Sequence, residues 1–360
     1  MEVWRLIDLG ASEPYMAQTF YEAVAKSVGE GESPSTIILC RPSKPYVCIG
    51  YHQELEREID LEFCESNGLP VIRRTQGGGA TYLDSNQVFY QVVAHEDSEA
   101  IPAGVDAIFR KLLQVPVNVY RALGLKAEYK ALNDVVVENR KISGNGAGRL
   151  DKSIVLIGNI ILDLDYDMMG RVLRVPSEKF RDKLAKSMRE WVTSLKRELG
   201  SAPAQEEVAR LLAQEFQRVL DIRLVKDEPS KEEMRIFRDE VYPRHLSREW
   251  LYMPERRHQE IRKIKVSGDV HVVEADHKAR KMIRVTAEVV QDHLKDILIS
   301  GDFFMIPEDA LPLLEQSLLH APTEYAEVLQ RVRRFYAENS VETPDMTAED
   351  FTSAIMKALQ

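Results

Sequence analysis

The chain has 360 residues and a net charge of −10, with 44% hydrophobic and 29% charged residues. This composition is typical of a globular protein, and the acidic balance argues against non-specific nucleic-acid binding as its main task. No apolar run approaches the roughly 18 residues of a membrane-spanning helix, and residues 1–9 lack the basic start of a signal peptide. The length suggests two domains.

The three cysteines, Cys40, Cys48 and Cys64, are odd in number and contain no CxxC pair. This pattern is typical of proteins in the reducing cytoplasm, where we therefore expect this protein to act. All three cysteines precede Arg73, so the sequence offers no evident thiol nucleophile beside the motifs described below.

The first third of the chain predicts strands that alternate with helices. Short apolar runs predict strands at 4–9, 36–40, 46–50, 70–73 and 88–93. Helical spacing of apolar residues predicts helices at 14–28, 55–67 and 105–123. Glycines at the ends of the last two predict where those helices stop.

The middle of the chain predicts a β-hairpin. Residues 135–137 form a short apolar strand, residues 138–140 a tight turn, and Lys141 begins the returning strand. We predict that a loop of small residues, 144–148, follows directly. Beyond it the sequence predicts a strand at 153–164 and helices at 166–172, 179–187 and 206–220.

We place a domain boundary near Pro254. The residues after it alternate as antiparallel strands at 261–266, 271–275 and 282–290. Three helices are predicted at 307–319, 324–339 and 348–359. The last of them carries a capping box made by Thr347 and Asp350.

Residues 73–84 read Arg-Arg-Thr-Gln-Gly-Gly-Gly-Ala-Thr-Tyr-Leu-Asp, and this is the most informative stretch of the chain. Three consecutive glycines let the backbone take positive φ and let a ligand lie against main-chain N–H groups. Arg73 and Arg74 add planar donors that suit phosphate or carboxylate. The alternative is a hairpin turn flanked by a charged pair.

Lys141 stands three residues before Gly144, at the entrance to the second small-residue stretch. Two glycine-rich loops and a mobile cation suit an anionic ligand, and the lysine could stabilise charge at phosphorus or at a mixed anhydride. The alternative is an exposed hairpin lysine. Asp134 and Asp84 are candidate metal or hydroxyl partners, with a turn cap and a strand-end charge as the alternatives. Neither loop has the order of a Walker A element.

Two motifs together resemble those of the lipoate–protein ligase family. The first is Arg73-Arg74-x-x-Gly77-Gly78-Gly79-Ala80 followed by Asp84, and the second is Asn133-Asp134 followed by Lys141-Ile142-Ser143-Gly144. The resemblance implies an α+β fold. It comprises a large catalytic domain at 1–254, with mixed and antiparallel sheets and flanking helices, and a small C-terminal α+β accessory domain at 255–360.

The resemblance also implies a two-step reaction that needs ATP and Mg²⁺. Lipoate would be activated to lipoyl-adenylate and passed to a lysine of a carrier protein. By position, Lys141 would be the catalytic residue, and Asp134 would lie by the nucleotide and its metal. The other residues implied to bind substrate or ATP are Arg73, Arg74, Gly77, Gly78, Gly79, Ala80, Asp84, Asn133, Ser143 and Gly144.

The sequence leaves two alternatives to the ligase open. Octanoyltransferases share the fold and take the acyl group from a carrier protein through a cysteine, without ATP. Residues 127–132 hold no cysteine where the branch most similar to this chain has one, which favours the ligase. The second alternative is a protein that binds the lipoyl carrier without catalysing a reaction. Leu83 replaces the family's frequent histidine, which bears on acyl specificity. The expected partner is a 2-oxoacid dehydrogenase subunit, a glycine-cleavage H protein or a specialised lipoate-binding protein, with no nucleic acid and no membrane.

Overall fold

The computed structural model describes residues 1–130, 133–175, 178–253 and 270–360. The chain divides into two compact units. Unit one comprises Met1–Cys48, Ile59–Ile72 and Thr81–Leu246, and unit two comprises Ile49–Glu58, Arg73–Ala80 and Ser247–Gln360. The predicted domain bounds, 1–254 and 255–360, stay a prediction. The strand predicted at 261–266 lies outside the described residues.

The strands, in chain order, are β1 (Glu2–Ser12), β2 (Thr36–Pro42), β3 (Tyr46–Ile49), β4 (Val71–Arg73), β5 (Thr81–Leu83), β6 (Gln87–His95), β7 (Ala127–Lys130), β8 (Asp134–Val137), β9 (Arg140–Leu150), β10 (Ser153–Ile161), β11 (Ile222–Asp227), β12 (Val270–Lys278), β13 (Met282–Val290) and β14 (His293–Gly301). Eight of them form one mixed sheet in the order β11-β1-β2-β6-β10-β9-β8-β7. β1 runs parallel to β2 and β11, and the other pairs in this sheet are antiparallel.

The helices are α1 (Pro14–Gly29), α2 (Leu55–Glu58), α3 (Leu61–Ser66), α4 (Val105–Leu112), α5 (Gln114–Ala122), α6 (Tyr166–Val172), α7 (Glu178–Trp191), α8 (Leu195–Leu199), α9 (Gln205–Leu220), α10 (Lys231–Ile236), α11 (Tyr242–Leu246), α12 (Arg248–Leu251), α13 (Ala310–Leu318), α14 (Tyr325–Asn339) and α15 (Ala348–Leu359). A π-helical turn, Phe237–Val241, joins α10 to α11. The α+β class expected from the sequence is confirmed.

The core of unit one forms where α1 packs on the large sheet. Pro14 occupies the first turn, where its missing N–H costs nothing, and the Glu13 carboxylate accepts a hydrogen bond from the N–H of Tyr15. Phe20 and Val24 of this helix are fully buried and belong to the same cluster as Ile38 of β2. Burying such side chains is worth about 1.5–3 kcal/mol each, which fixes the sheet's central strands beneath the helix.

Two predicted helices are each divided in the structure. The segment predicted as one helix at 105–123 is α4 and α5. Pro116 has no N–H to bond the carbonyl of Leu112, and its ring crowds that carbonyl. The segment predicted at 55–67 is α2 and α3, and Asp60 caps the second by accepting from the N–H of Phe63.

Unit two contains the antiparallel sheet β12-β13-β14 with α13, α14 and α15. Its buried cluster includes Ile283, Phe303 and Phe351. The capping box predicted for the last helix is confirmed, with Thr347 and Asp350 bonding reciprocally. The third strand, β14, was not predicted.

The upstream segment Ile49–Glu58 belongs to unit two through specific contacts. The carbonyl of His52 accepts a hydrogen bond from Gly301 at 3.0 Å, and the His52 ring stacks on Phe303 with centroids 4.9 Å apart. Ser300 donates to the Glu54 carboxylate at 2.6 Å. Across the described residues of both units, no helix is both long enough and apolar enough to cross a membrane.

The burial of His52 predicts a pH-dependent stability. Burial, together with the positive charge of Arg73, lowers the pKa of His52 from 6.5 to about 3. Between about pH 6.5 and about pH 3, His52 therefore binds a proton in the unfolded chain but not in the folded one. The free energy of unfolding falls as the pH drops through this range. Replacing His52 with Phe keeps the aromatic stack and removes this loss.

Thermal unfolding of the H52F variant across this pH range tests the prediction. We expect the Tm of the wild type to fall more steeply with acidification than that of the variant. H271F, at an exposed histidine of β12, is the control and should follow the wild type. Parallel curves for the wild type and H52F would contradict the prediction.

Candidate active site

The hairpin β8–β9 carries the two charged residues at the centre of the candidate site. Its turn residues, Glu138 and Asn139, both have positive φ, at 48° and 64°. Such a two-residue turn matches the right-handed twist of the strands it joins. Val136 pairs with Lys141 and Val135 with Ser143, which leaves Ile142 as an extra residue, a β-bulge. Bulges re-aim the side chains beside them and are common next to active sites.

Lys141 and Asp134 form an ion pair on this hairpin. The Lys141 Nζ lies 2.6 Å from the Asp134 Oδ1, and each side chain is 36% exposed. An ion pair this accessible to solvent contributes at most about 1 kcal/mol. A ligand oxygen can therefore replace the carboxylate as the partner of the ammonium group at little cost.

The main chain of Lys141 is held more firmly than its side chain. β8 lies on one side of it, and Val192 bridges to it on the other. The N–H of Thr193 donates to the Lys141 carbonyl at 2.8 Å. The next carbonyl, that of Ile142, accepts from the Tyr120 hydroxyl at 2.5 Å. The cationic side chain of Lys141 is therefore flexible, whereas the main chain that carries it is fixed.

Asn133 and Ser143, which the sequence predicts to bind substrate or ATP, form side-chain hydrogen bonds with neighbouring strands. The Asn133 amide donates to the Asn145 carbonyl at 2.6 Å, and the Ser143 hydroxyl donates to the Asn159 carbonyl at 2.7 Å. The N–H of Gly144 donates to the Asn159 side chain at 2.8 Å. These contacts place three predicted residues beside the ion pair as parts of its frame. Their roles toward a ligand stay predictions.

The second glycine-rich loop predicted at 144–148 is wrong. These residues belong to β9, which continues to Leu150 and pairs with β10 along the stretch from Asn145. Glycine disfavours strands when considered alone. Pairing with β8 as far as Gly144 and with β10 from Asn145 onward outweighs that preference here.

Arg73 lies in unit two and is fully buried. Its guanidinium donates to five main-chain carbonyls at 2.6–3.1 Å, those of Gly50, Tyr51, Gln53, Trp250 and Leu251. The planar fork that suits phosphate here joins two distant segments of the same unit. A ligand contact for Arg73 stays a prediction.

The glycine loop follows Arg73 in unit two. Arg74 donates to the carbonyl of Gly77 at 2.7 Å and to that of Gly79 at 3.0 Å. A Cβ at Gly77 would lie 2.3 Å from the Phe303 carbonyl oxygen, so this position excludes a side chain. Gly78 has a φ of 94° and donates its N–H to the same carbonyl at 3.3 Å. Close packing against Phe303 thus explains two of the three glycines.

The remaining predicted residues are Ala80, at the end of the same loop, and Asp84, in unit one. Asp84 accepts from the main-chain N–H of Asn86 at 2.9 Å, which is the turn-cap geometry. Burial raises the pKa of the Asp84 carboxyl, and the hydrogen bonds from Asn86 oppose that rise. In the part of the chain that the structure describes, no three His, Cys, Asp or Glu side chains are grouped closely enough to hold a metal. The metal role of Asp134 stays a prediction.

The cysteines are all in unit one and all buried. Burial raises the pKa of the Cys40 thiol well above its usual range and that of Cys64 to about 11. A thiol in this state is a poor nucleophile at neutral pH. None of the three sits on the hairpin that carries Lys141.

Sequence reasoning did not single out Asn145 and Asn159, which frame the ion pair. Both were visible as polar residues inside otherwise small or apolar stretches, at Gly-Asn-Gly and at Ile-Gly-Asn-Ile. A buried amide needs partners. That requirement is the signal that could have identified them.

Comparison with known proteins identifies the family. The model described as Lipoyl protein ligase A/B catalytic domain matches residues 13–217, more than half of the chain. An octanoyltransferase, LipM of Kyrpidia tusciae, is 30% identical over 274 residues, which is 70% of this chain and 99% of the relative. Further octanoyltransferases of the same name match at 26–30% identity.

Two solved structures show the same fold. One is a bipartite lipoate protein ligase of Thermoplasma acidophilum, studied with its E2 lipoyl domain. It has a TM-score of 0.63 and 30% identity, and covers 69% of this chain and 96% of that one. The other is lipoate-bound LipL1 of P. falciparum, with a TM-score of 0.68 over 98% of this chain and 99% of that one. At 15% identity, the second likeness concerns the fold alone.

These findings correct the expected main function. The sequence was interpreted as an ATP-dependent lipoate–protein ligase. That interpretation is wrong, because several relatives that match over 98–99% of their own length are named octanoyltransferases. The alternative weighed from the sequence, acyl transfer from a carrier protein without ATP, has the better support.

The contacts of Arg73 predict a structural cost for its replacement. A lysine at this position can reach only some of the five carbonyls. Each buried acceptor left unpaired costs about 1–3 kcal/mol. We therefore expect R73K to lower the free energy of unfolding by roughly 2–4 kcal/mol, an effect on the scale of a broken buried charge network.

Denaturant unfolding of R73K measures this loss. R210K is the matched control, because Arg210 is exposed and bonds only Gln214 among the contacts described for its side chain. It should leave stability unchanged. An R73K variant as stable as the wild type would show that the five hydrogen bonds contribute nothing to folding.

Proposed function

Because the chain belongs to the family of lipoyl protein ligase A/B catalytic domains and is an enzyme of that family, we propose that it transfers an octanoyl group to a lysine of a lipoyl-accepting protein domain. The donor is an octanoyl thioester, and ATP is not required. The observation that carries the proposal is the match to octanoyltransferases, which extends over 99% of the Kyrpidia tusciae protein.

The reaction is an exchange of a thioester for an amide. The nitrogen of the acceptor lysine attacks the carbonyl carbon of the donor, so that a C–N bond forms and the C–S bond breaks. The proton released from the amine ends on the departing thiolate. Negative charge develops on the carbonyl oxygen during the attack, and a positioned cation stabilises it.

Lys141 supplies that cation in the proposed mechanism. Its ammonium group lies 2.6 Å from the Asp134 carboxylate, and each side chain is 36% exposed. The carboxylate keeps the ammonium oriented until the donor carbonyl takes its place. Because the main chain of Lys141 is fixed, the ammonium group can move only as far as its own side chain reaches. This restriction is the preorganisation that such catalysis needs.

The proposed transfer proceeds without an acyl group on a protein thiol. The three cysteines of the chain are buried, and burial raises the pKa of Cys40 and Cys64. The acceptor amine therefore attacks the donor directly. ATP and Mg²⁺ stay predictions from the sequence, and the transfer proposed here does not depend on them.

The acceptor is a protein domain with an accessible lysine. The archaeal ligase that shares this fold was studied with its E2 lipoyl domain. We propose the same class of acceptor here, from a 2-oxoacid dehydrogenase, with a glycine-cleavage H protein as the second candidate. A cytoplasmic location stays a prediction as well.

Intact mass spectrometry of an apo lipoyl domain tests the proposal. We expect the domain to gain one octanoyl group when incubated with this protein and octanoyl acyl carrier protein, with no nucleotide present. K141A should lower the initial rate by about 100-fold or more, the usual cost of removing one oxyanion-stabilising group. K126A, at an exposed lysine, is the control and should leave the rate unchanged.

Two results would contradict the proposal. Acylation that occurs only when octanoate and Mg-ATP replace the thioester would establish an adenylate route. A K141A variant as fast as the wild type would show that the reaction does not take place at this hairpin. Running E2 domain and H protein side by side separates a wrong acceptor from a wrong donor.

A further inference from the structure

Beside the ion pair, a buried hydrogen bond joins two strands that are separated by a third. The Tyr90 hydroxyl on β6 donates to the Asn145 Oδ1 on β9, although β10 lies between those strands. Tyr90 is fully buried and Asn145 is 7% exposed. A polar pair this deep in a sheet is costly unless each group is satisfied.

Gly158 on β10 makes this contact possible. In the register of the sheet, Gly158 stands opposite Tyr90 on one side and opposite Asn145 on the other. A Cβ at Gly158 would lie 2.4 Å from the Tyr90 hydroxyl oxygen and 2.1 Å from the Asn145 Oδ1. The missing side chain therefore opens the path across the middle strand.

The contact also determines which way the Asn145 amide faces. Tyr90 donates, so the amide oxygen must point toward it and the amide nitrogen must point the other way. Burial raises the pKa of the Tyr90 phenol and keeps it a donor. The Asn145 Nδ2 then donates to the Asn133 carbonyl at 2.9 Å and to the Ser143 hydroxyl at 3.2 Å.

Asn133 needs this support because it lies beyond the end of the β8–β9 ladder. The last paired residue of β8 is Asp134, opposite Gly144. Asn133 and Asn145 bond reciprocally, since the Asn133 amide also donates to the Asn145 carbonyl at 2.6 Å. The residue next to Asp134 is thus held by Asn145.

We propose that Asn145 is a positioning residue, oriented by Tyr90 across Gly158, that holds Asn133 and so keeps the Asp134 carboxylate against Lys141. This inference rests on the proposed function only for its consequence in turnover. The placement of Asp134 is a property of the protein itself. It can be measured without any acyl transfer.

The amine reactivity of Lys141 reports that placement directly. Brief treatment of the folded protein with an acetylating reagent, followed by peptide mass spectrometry, gives the relative acetylation rate of each lysine. The contact with Asp134 holds the Lys141 Nζ 2.6 Å from a carboxylate oxygen and so limits its encounter with the reagent, and D134N should therefore raise the rate at Lys141. We expect N145A to raise it by a similar factor, and the double variant N145A/D134N to add little more, because residues that act through one another are not additive.

Two further variants keep the test sharp if N145A folds poorly. Y90F removes one hydroxyl and frees the Asn145 amide to rotate, so it should raise Lys141 reactivity in the same direction. Y336F is the matched control, because it removes a partly buried hydroxyl that contacts Thr343 in unit two. It should leave Lys141 unchanged, and Lys126 reports any change in the reagent.

Turnover gives the second readout. If the proposed function holds, N145A should lower kcat by roughly 10- to 100-fold, the loss that a misplacement of about 1 Å brings, while the KM for the acceptor changes little. A rise in Lys141 reactivity without any acyl transfer by the wild type would retain the positioning role and remove the proposed function. Lys141 reactivity unchanged in both N145A and Y90F, but raised in D134N, would overturn the positioning role.

Discussion

Hydrogen bonding of β9 to strands on both sides is the constraint on which the candidate site depends. β8 pairs with it as far as Gly144 and β10 pairs with it from Asn145, so pairing continues through a stretch rich in glycine. Because the main chain of Lys141 pairs with β8 on one side and is held by Val192 and Thr193 on the other, its side chain leaves the sheet from a fixed point. The bulge at Ile142 shifts the register so that Asp134 faces Gly144. A half-exposed ion pair then stands on a rigid support, which is the combination that electrostatic catalysis requires.

The hairpin and its lysine could be predicted from local sequence. Three valines indicate the strand, and Glu138 and Asn139 adopt the positive φ of a two-residue turn. The small residues after Lys141 were misinterpreted as a loop, because glycine carries no local preference for a strand. Their conformation depends on pairing with β10, which is a property of the whole sheet. Tyr90 and Gly158 could not be connected to Asn145 for the same reason, since only the sheet register aligns them.

The arginine–glycine motif shows a second limit of sequence reasoning. Paired arginines before three glycines have the chemistry of an anion site, and that expectation stays untested. The structure shows what the motif also does inside unit two. Arg73 joins five carbonyls from two segments, and Gly77 lies where a Cβ would strike the Phe303 carbonyl. Two of these partners, Trp250 and Phe303, are more than 150 residues away from the motif along the chain. Arg73 and Trp250, for example, are 177 residues apart. Local patterns do not reveal contacts over such distances.

The central claim is that acyl transfer occurs at Lys141 and Asp134 without a thiol of this protein. The most direct test is the intact mass of the protein itself after mixing with an octanoyl thioester while the acceptor is withheld. The account predicts an unchanged mass, followed by full transfer when the acceptor is added. An octanoyl adduct that hydroxylamine removes and that maps to Cys40, Cys48 or Cys64 would contradict it, because the acyl group would then reside on a cysteine before it reaches the acceptor.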